Sequence, residues 1–202
     1  PNTILLDGGM GTMLQAAGMK LGTRPEDLNI ENPELIRSIH AKYAAAGSRV
    51  VNANTFGASP HKLADSKYTL EEVITAGIAN CKQAVAPYGA LVTLDVGPLG
   101  ELLEPSGTLA FEDAVAEYGR IVRAGVAAGA DILYFETFTD LYEMKAALLA
   151  AKENSILPIM ASMSFEANGR TFTGCTVESF AATARGLSLI HISEPTRQAE
   201  IS

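Results

Sequence analysis

This sequence predicts an α/β fold and, within that class, a parallel (β/α)8 TIM barrel of which about five βα units are present. Three observations lead there. Short apolar runs alternate with long amphipathic segments, which is the pattern of a parallel sheet with crossover helices. The runs are apolar enough to be covered on both faces. Nearly every run ends in polar groups that its body does not need: Asp7-Gly8-Gly9, Asn52 to Phe56, Asp95 to Gly100, Glu136-Thr137 and Ser162 to Phe165. A doubly wound open sheet would concentrate such groups at its switch point, whereas a barrel gathers all its strand-to-helix loops around one mouth. Their spread over successive strands favours the barrel.

The units follow in order. "TILLD" is the first strand, and Glu34 to Ala46 its helix, announced by Asn32 as a cap and Pro33 in the first turn. "RVVNAN" precedes a helix from Leu70 to Ala86, and "ALVTLD" precedes one from Phe111 to Ala128. "DILYFE" leads to a helix over Asp140 to Glu153, and "LPIMASMSF" to one from Val177 to about Arg185. Glycines in "AAGSR" and "AAGAD" stand just beyond helix ends, where a left-handed residue closes the last turn. No linker or low-complexity run interrupts residues 1–186, so they read as one domain.

Composition narrows the function classes. The chain has 202 residues, 48% of them hydrophobic and 19% charged, as an ordinary globular domain does. A net charge of -8 without a basic stripe argues against nucleic acid as a partner. No apolar run is long enough to span a bilayer, and no secretory leader opens the sequence, so the cytoplasm is the expected compartment. Cys81 and Cys175 lie far apart without CxxC spacing, which suits a reducing environment better than a disulfide framework.

"DGGMGTML" carries the first candidate site. Gly8, Gly9 and Gly11 permit positive φ and close approach of a ligand to backbone N–H groups at a helix start. A plain tight turn is the competing explanation. Asp7 either accepts a hydrogen bond from a substrate ammonium or caps that turn. "YFETFTD" carries the second, with Glu136 facing the same mouth or else paired with a structural Arg or Lys. Two carboxylates and a nest of N–H groups would suit an α-amino acid. Asn52, Asn54, Thr55, Ser162 and Ser164 add neutral donors and acceptors, each of which also suits a turn. The loop "VGPLGELLEP" is expected to be rigid and without chemistry of its own. His40, His61 and His191 have no metal-ligand spacing. Cys81 reads as a core side chain and Cys175 as structural, since a thiol without a placed base is a poor nucleophile. An aldolase or phosphate-binding barrel is disfavoured because no strand-end Lys offers a Schiff base.

Taken together and in register, "LLDGGMGTMLQ", "DLNIENPELIRSIHAKYAAAGSRVVNANTFGAS", "DVGPLGELLEP", "ILYFETFTDLYEMKAAL" and "MSFEANGRTFTGCTVESFA" resemble the homocysteine S-methyltransferase family. The resemblance covers residues 1 to about 186 and is strongest to the homocysteine-binding barrel at the N-terminus of bacterial cobalamin-dependent methionine synthases. It implies that Asp7 and Glu136 hold the amino acid group of homocysteine, that N–H groups of Gly8, Gly9 and Met10 take its carboxylate, and that Asn54 lines the pocket; Ser162 is counted with them as a substrate-binding donor. It also implies a zinc ion that turns the homocysteine thiol, ordinarily with a pKa near 8.5, into a thiolate that attacks an activated methyl group. The donor in methionine synthases is methylcobalamin, recharged from methyltetrahydrofolate on other domains. Stand-alone relatives use S-methylmethionine or betaine.

The sequence departs from the family at the metal. The family's zinc ligands are a Cys in a G-x-N-C motif and a later Cys-Cys pair, and neither motif occurs here, so no metal ligand is assigned. A complete barrel takes about 250 residues. The ending "LSLIHISEPTR" can be back-translated as a transposon-end sequencing adapter, and residues 187–202 are therefore expected to be a non-native tail on a partial domain. On that expectation the chain by itself is inactive, and the rival function is a zinc-free, non-catalytic amino-acid-binding module.

Overall fold

A computed structural model describes residues 3–20 and 22–187. Of the expected tail only Leu187 is described, directly after the last helix, and the remainder lies outside the described residues. In chain order the elements are α1 (Met10–Ala16), α2 (Leu28–Glu31), α3 (Pro33–Ala45), β1 (Val50–Asn52), α4 (Leu70–Val85), β2 (Leu91–Val96), α5 (Phe111–Ala127), β3 (Ile132–Phe138), α6 (Leu141–Asn154), β4 (Ile159–Met163) and α7 (Val177–Gly186).

Local chemistry sets the helix starts. Asn32 accepts from the Leu35 N–H ahead of Pro33, and Thr69 and Glu72 form a reciprocal capping box at α4. Asp140 accepts from the N–H groups of Tyr142 and Glu143 at α6, and Thr176 from that of Ser179 at α7. These caps satisfy backbone donors that no preceding turn can reach, so these four helices begin within a residue or two of their expected positions, as does α5, which has no side-chain cap.

The four strands form one parallel sheet in the order β1-β2-β3-β4. A doubly wound sheet reverses direction at a switch point, but this order runs one way. Crossovers of the usual hand then lay every helix on the same face, as in a barrel wall. The burial pattern agrees. Val51, Val92, Leu94, Val96, Leu133, Phe135, Ala161 and Met163 join the helices in one core. The intervening residues Asn52, Thr93, Asp95, Tyr134, Glu136 and Ser162 share the opposite face, as the two-residue period of a strand requires. Hydrogen bonds knit that concave face together: Thr93 Oγ1 donates to Asn52 Oδ1 at 2.8 Å, and the Tyr134 and Ser162 hydroxyls lie 3.1 Å apart.

The first expected strand departs from this picture. "TILLD" makes only a parallel bridge, Leu6 to Val50, with Leu5 O accepting from Arg49 N–H and Asp7 N–H donating to Val50 O. Its neighbour β1 is three residues long, and among the described residues no strand pairs with its other side. Two or three ladder bonds do not sustain a strand, and Ile4 and Leu5 stay exposed.

Candidate functional site

Three carboxyl groups meet where the strands end. Asp7 follows the Leu6 bridge, Asp95 is the fifth residue of β2, and Glu136 the fifth of β3. With Gly8, Gly9, Met10, Asn52, Ala53, Asn54 and Phe56 they line a cavity of about 70 Å³. Among the described residues no Lys, Arg or His lines it.

Asp7 is held by β1 in both directions. Its N–H donates to Val50 O at 3.2 Å, and its Oδ2 accepts from Asn52 N–H at 3.0 Å, while Oδ1 is buried without a partner among the described residues. Burial pushes its pKa up to about 7, helped by the Glu136 charge and opposed by the Asn52 hydrogen bond. Asp95 is 6% exposed, and its Oδ1 is buried without a hydrogen-bond partner among the described residues, in the same cavity as the Glu136 carboxyl. Burial raises Asp95 well above the usual carboxylate range, with the Glu136 and Asp7 charges adding to it. Burial raises Glu136 as well, while the neighbouring Asp95 carboxyl works the other way. The hole is therefore an acidic cluster without a counter-charge, and a cation entering it would relieve the repulsion.

Each sequence-predicted residue now has a place. Gly8, Gly9 and Met10 line the cavity at the start of α1, whose first turn no side chain caps. The glycines are needed for a reason other than the expected one: none of Gly8, Gly9 and Gly11 has positive φ. Gly8 instead lies under Tyr43, whose hydroxyl would stand 3.0 Å from an added Cβ. Asn54 lines the cavity, yet its amide hydrogens are committed to Pro25 O at 2.7 Å and Asn29 Oδ1 at 2.9 Å. Ser162 does not line the cavity. Its Oγ accepts from Thr137 N–H at 3.0 Å, where the β3–β4 register shifts and Thr137 takes φ 56°. Ser162 thereby fixes the backbone next to Glu136 from below.

Asp95 is the site residue to which the sequence alone gives no role of its own, because it stands there as one polar strand end among several. A signal was present, since "ALVTLD" ends in an acid as "TILLD" does. The loop that follows, "VGPLGELLEP", is fastened to its neighbours: Gly97 N–H donates to Phe56 O and Leu99 N–H to Glu143, with no room for a side chain at Gly97 against Phe56 O. Cys81 is fully buried in the core, and burial pushes its thiol up. His40 is fully buried in α3 without a hydrogen-bond partner, and its pKa falls to about 4, so it is a neutral packing residue.

A wider groove of about 640 Å³ lies between Leu103–Ser106, the start of α6 and the Thr173–Thr183 region, with Cys175 in its wall. It is the larger opening, but Asp140 there is spent on capping α6 and the Cys175 thiol lies 3.2 Å from Thr176 O. Chemistry rather than size selects the acidic cavity.

Fold and site together define a barrel-type α/β domain with an acidic cavity at its strand ends. The sequence pattern of the homocysteine S-methyltransferase family matches residues 4–193, and the chain belongs to that family. Among solved structures it is similar to the homocysteine methyltransferase MmuM of Escherichia coli in its oxidized form, with 23% identity over 96% of this chain and 73% of that one, and a TM-score of 0.86. The metallated form of the same enzyme superposes with a TM-score of 0.82 at 25% identity, over 95% and 74% of the two chains. These structures share the fold. No helix among the described residues is long and apolar enough to cross a membrane.

Proposed function

We propose that this chain holds the amino acid end of homocysteine in the acidic cavity, as the substrate-holding part of a methyltransferase domain spanning residues 1–186. The charge imbalance carries the reading: three carboxyl groups and, among the described residues, no cation line the hole, so an α-ammonium group is the complementary occupant. Asp7 and Glu136 accept from that ammonium. The uncapped N–H groups around Gly8, Gly9 and Met10 take the substrate carboxylate, and Asn54 offers its carbonyl oxygen. Ser162 positions Glu136 through Thr137.

Zinc in the family activates the substrate thiol, and one similar structure is of a metallated enzyme. The described residues do not fit that metal. No group of three His, Cys, Asp or Glu among them is placed to hold an ion, Cys81 is sealed in the core, and Cys175 faces the outer groove. The role of the described residues is therefore to bind and orient the substrate. Methylcobalamin is the proposed donor, as in methionine synthases with methyltetrahydrofolate upstream. S-methylmethionine or betaine is the donor if the parent resembles stand-alone relatives. A cytoplasmic setting suits all three.

Calorimetry on the purified chain tests the reading. L-homocysteine and L-methionine should bind, and an analogue of homocysteine lacking the α-amino group should not. Equal binding of the deaminated analogue would place recognition elsewhere.

A further inference from the structure

Asp95 is absent from the substrate contacts assigned above, yet it is the most deeply buried of the three carboxyl groups and faces into the same hole. Its Oδ1 is buried without a partner among the described residues, and Glu136 lines the same cavity of about 70 Å³. Two carboxyl groups buried in so small a hole, with no cation lining it among the described residues, are not both ionised at low cost, so the empty pair retains a proton. Strands β2 and β3 impose the approach: they are paired in parallel, with Asp95 opposite Tyr134 and Val96 opposite Phe135, which puts Asp95 and Glu136 on the same face at the same edge. Their described surroundings supply no competing cation. The charges acting on Asp95 are Glu136, Asp7 and Glu26, all acidic, and Tyr134 beside it is neutral, its pKa raised by burial.

We infer that Asp95 is a positioning residue that keeps one proton on the Asp95–Glu136 pair in the empty site and releases it when a substrate ammonium takes its place. The inference rests on the amino-acid-binding reading and deepens it. With the hole empty, the proton links the two side chains and aims Glu136 across the cavity. When an ammonium arrives, its N–H groups supply the hydrogen bonds that the proton supplied, and its charge makes the ionised pair the favoured form. The proton leaves to solvent, the ligand's charge replaces it, and the total charge of the site is conserved. Net exchange of one proton for one ammonium makes affinity rise with pH while the empty pair remains protonated, by at most about tenfold per pH unit. The exchange also disfavours ligands without a cationic head, since they cannot displace the proton.

The experiment is calorimetric titration of the full chain with L-methionine in buffers of different ionisation enthalpy at about pH 8, where Asp7, with its pKa of about 7, is already mostly ionised before the ligand arrives. L-methionine carries no thiol, so any proton that appears comes from the protein. Release of close to one proton is expected, and affinity should rise between about pH 6 and about pH 8. Asp95→Asn keeps a hydrogen-bond donor beside Glu136 but has no proton to lose. It should bind L-methionine with close to zero proton release. Binding by the unaltered chain without proton release would overturn the inference and leave the amino acid site standing. Full release retained in Asp95→Asn would assign the proton to Asp7 and equally overturn it. Absence of L-methionine and L-homocysteine binding at every pH would remove the amino acid site itself, and the inference with it. The first measurement needs only the unaltered chain, so it decides the matter even if the variant fails to fold.

Discussion

Asp7, assigned above to the proposed substrate ammonium, carries a stability cost of its own. Its folded pKa, about 7, lies above the ordinary value of 3.8, so the folded chain binds the proton more tightly than the unfolded one. Its contribution to stability is therefore fully present below about pH 4 and is lost as pH rises through about 7. The shift corresponds to on the order of 2 to 4 kcal/mol of destabilisation at pH 8. Asp7→Asn keeps an oxygen for the Asn52 N–H and removes the buried charge. It should raise the urea midpoint at pH 8, leave it nearly unchanged at pH 3, and weaken L-methionine binding tenfold or more, the scale of one charge-assisted hydrogen bond. Equal stability of the two proteins at pH 8 would show that the Asp7 charge is solvated. Glu136→Gln should weaken binding by a similar factor with an unchanged far-ultraviolet dichroism spectrum, and a loss of helical signal would mark it as structural instead.

Among the elements, α5 and the β3–β4 junction carry the site's geometry. Helix α5 rests on the outer face of β2 through Gly125, where an added Cβ would stand 2.5 Å from the buried Leu94 side chain. Gly125→Ala gains helix propensity but must push Leu94, and through it the strand that carries Asp95. The expected balance is a loss of about 1 to 3 kcal/mol in urea unfolding, the usual cost of overpacking. At the junction, the Ser162 hydroxyl receives the Thr137 N–H and the strand register shifts beside Glu136. Ser162→Ala leaves that N–H without its partner and should cost about 1 to 3 kcal/mol. It should also weaken amino acid binding less than Glu136→Gln does, since Ser162 acts at one remove. Both effects are read from the same pair of titrations.

At the scale of the whole molecule, the described sheet is open where a barrel is closed. Ile4 and Leu5 are exposed beside a three-residue β1, and Leu6 is partly so. Unpaired edges and exposed apolar side chains invite association with a second copy. The purified chain should therefore show an average mass that grows with concentration in light scattering, and Leu5→Lys should reduce that growth by placing a charge at the edge. A concentration-independent monomer mass would show that the edge is already covered.

The helices and their limits were legible in the sequence because their causes are local: a cap such as Asn32 or Thr69, a proline at Pro33, a glycine after the last turn. The candidate acids Asp7 and Glu136 were legible for the same reason, each closing an apolar run. The fate of "TILLD" was not, since a strand exists only through partners, and β1 offers it a single short edge. Nor could the sequence decide which strand-end groups meet. Asn54 turned its amide hydrogens inward to Asn29 and Pro25, Ser162 went beneath the site, and Asp95, read only as one polar strand end among several, joined the acids of the cavity. The sequence determined the periodicity, the caps and a family pattern over residues 4–193. The pairing of β2 with β3 decided that two carboxyl groups share one buried site. Hydrogen bonds between side chains depend on distances across the fold, which no local run of residues encodes.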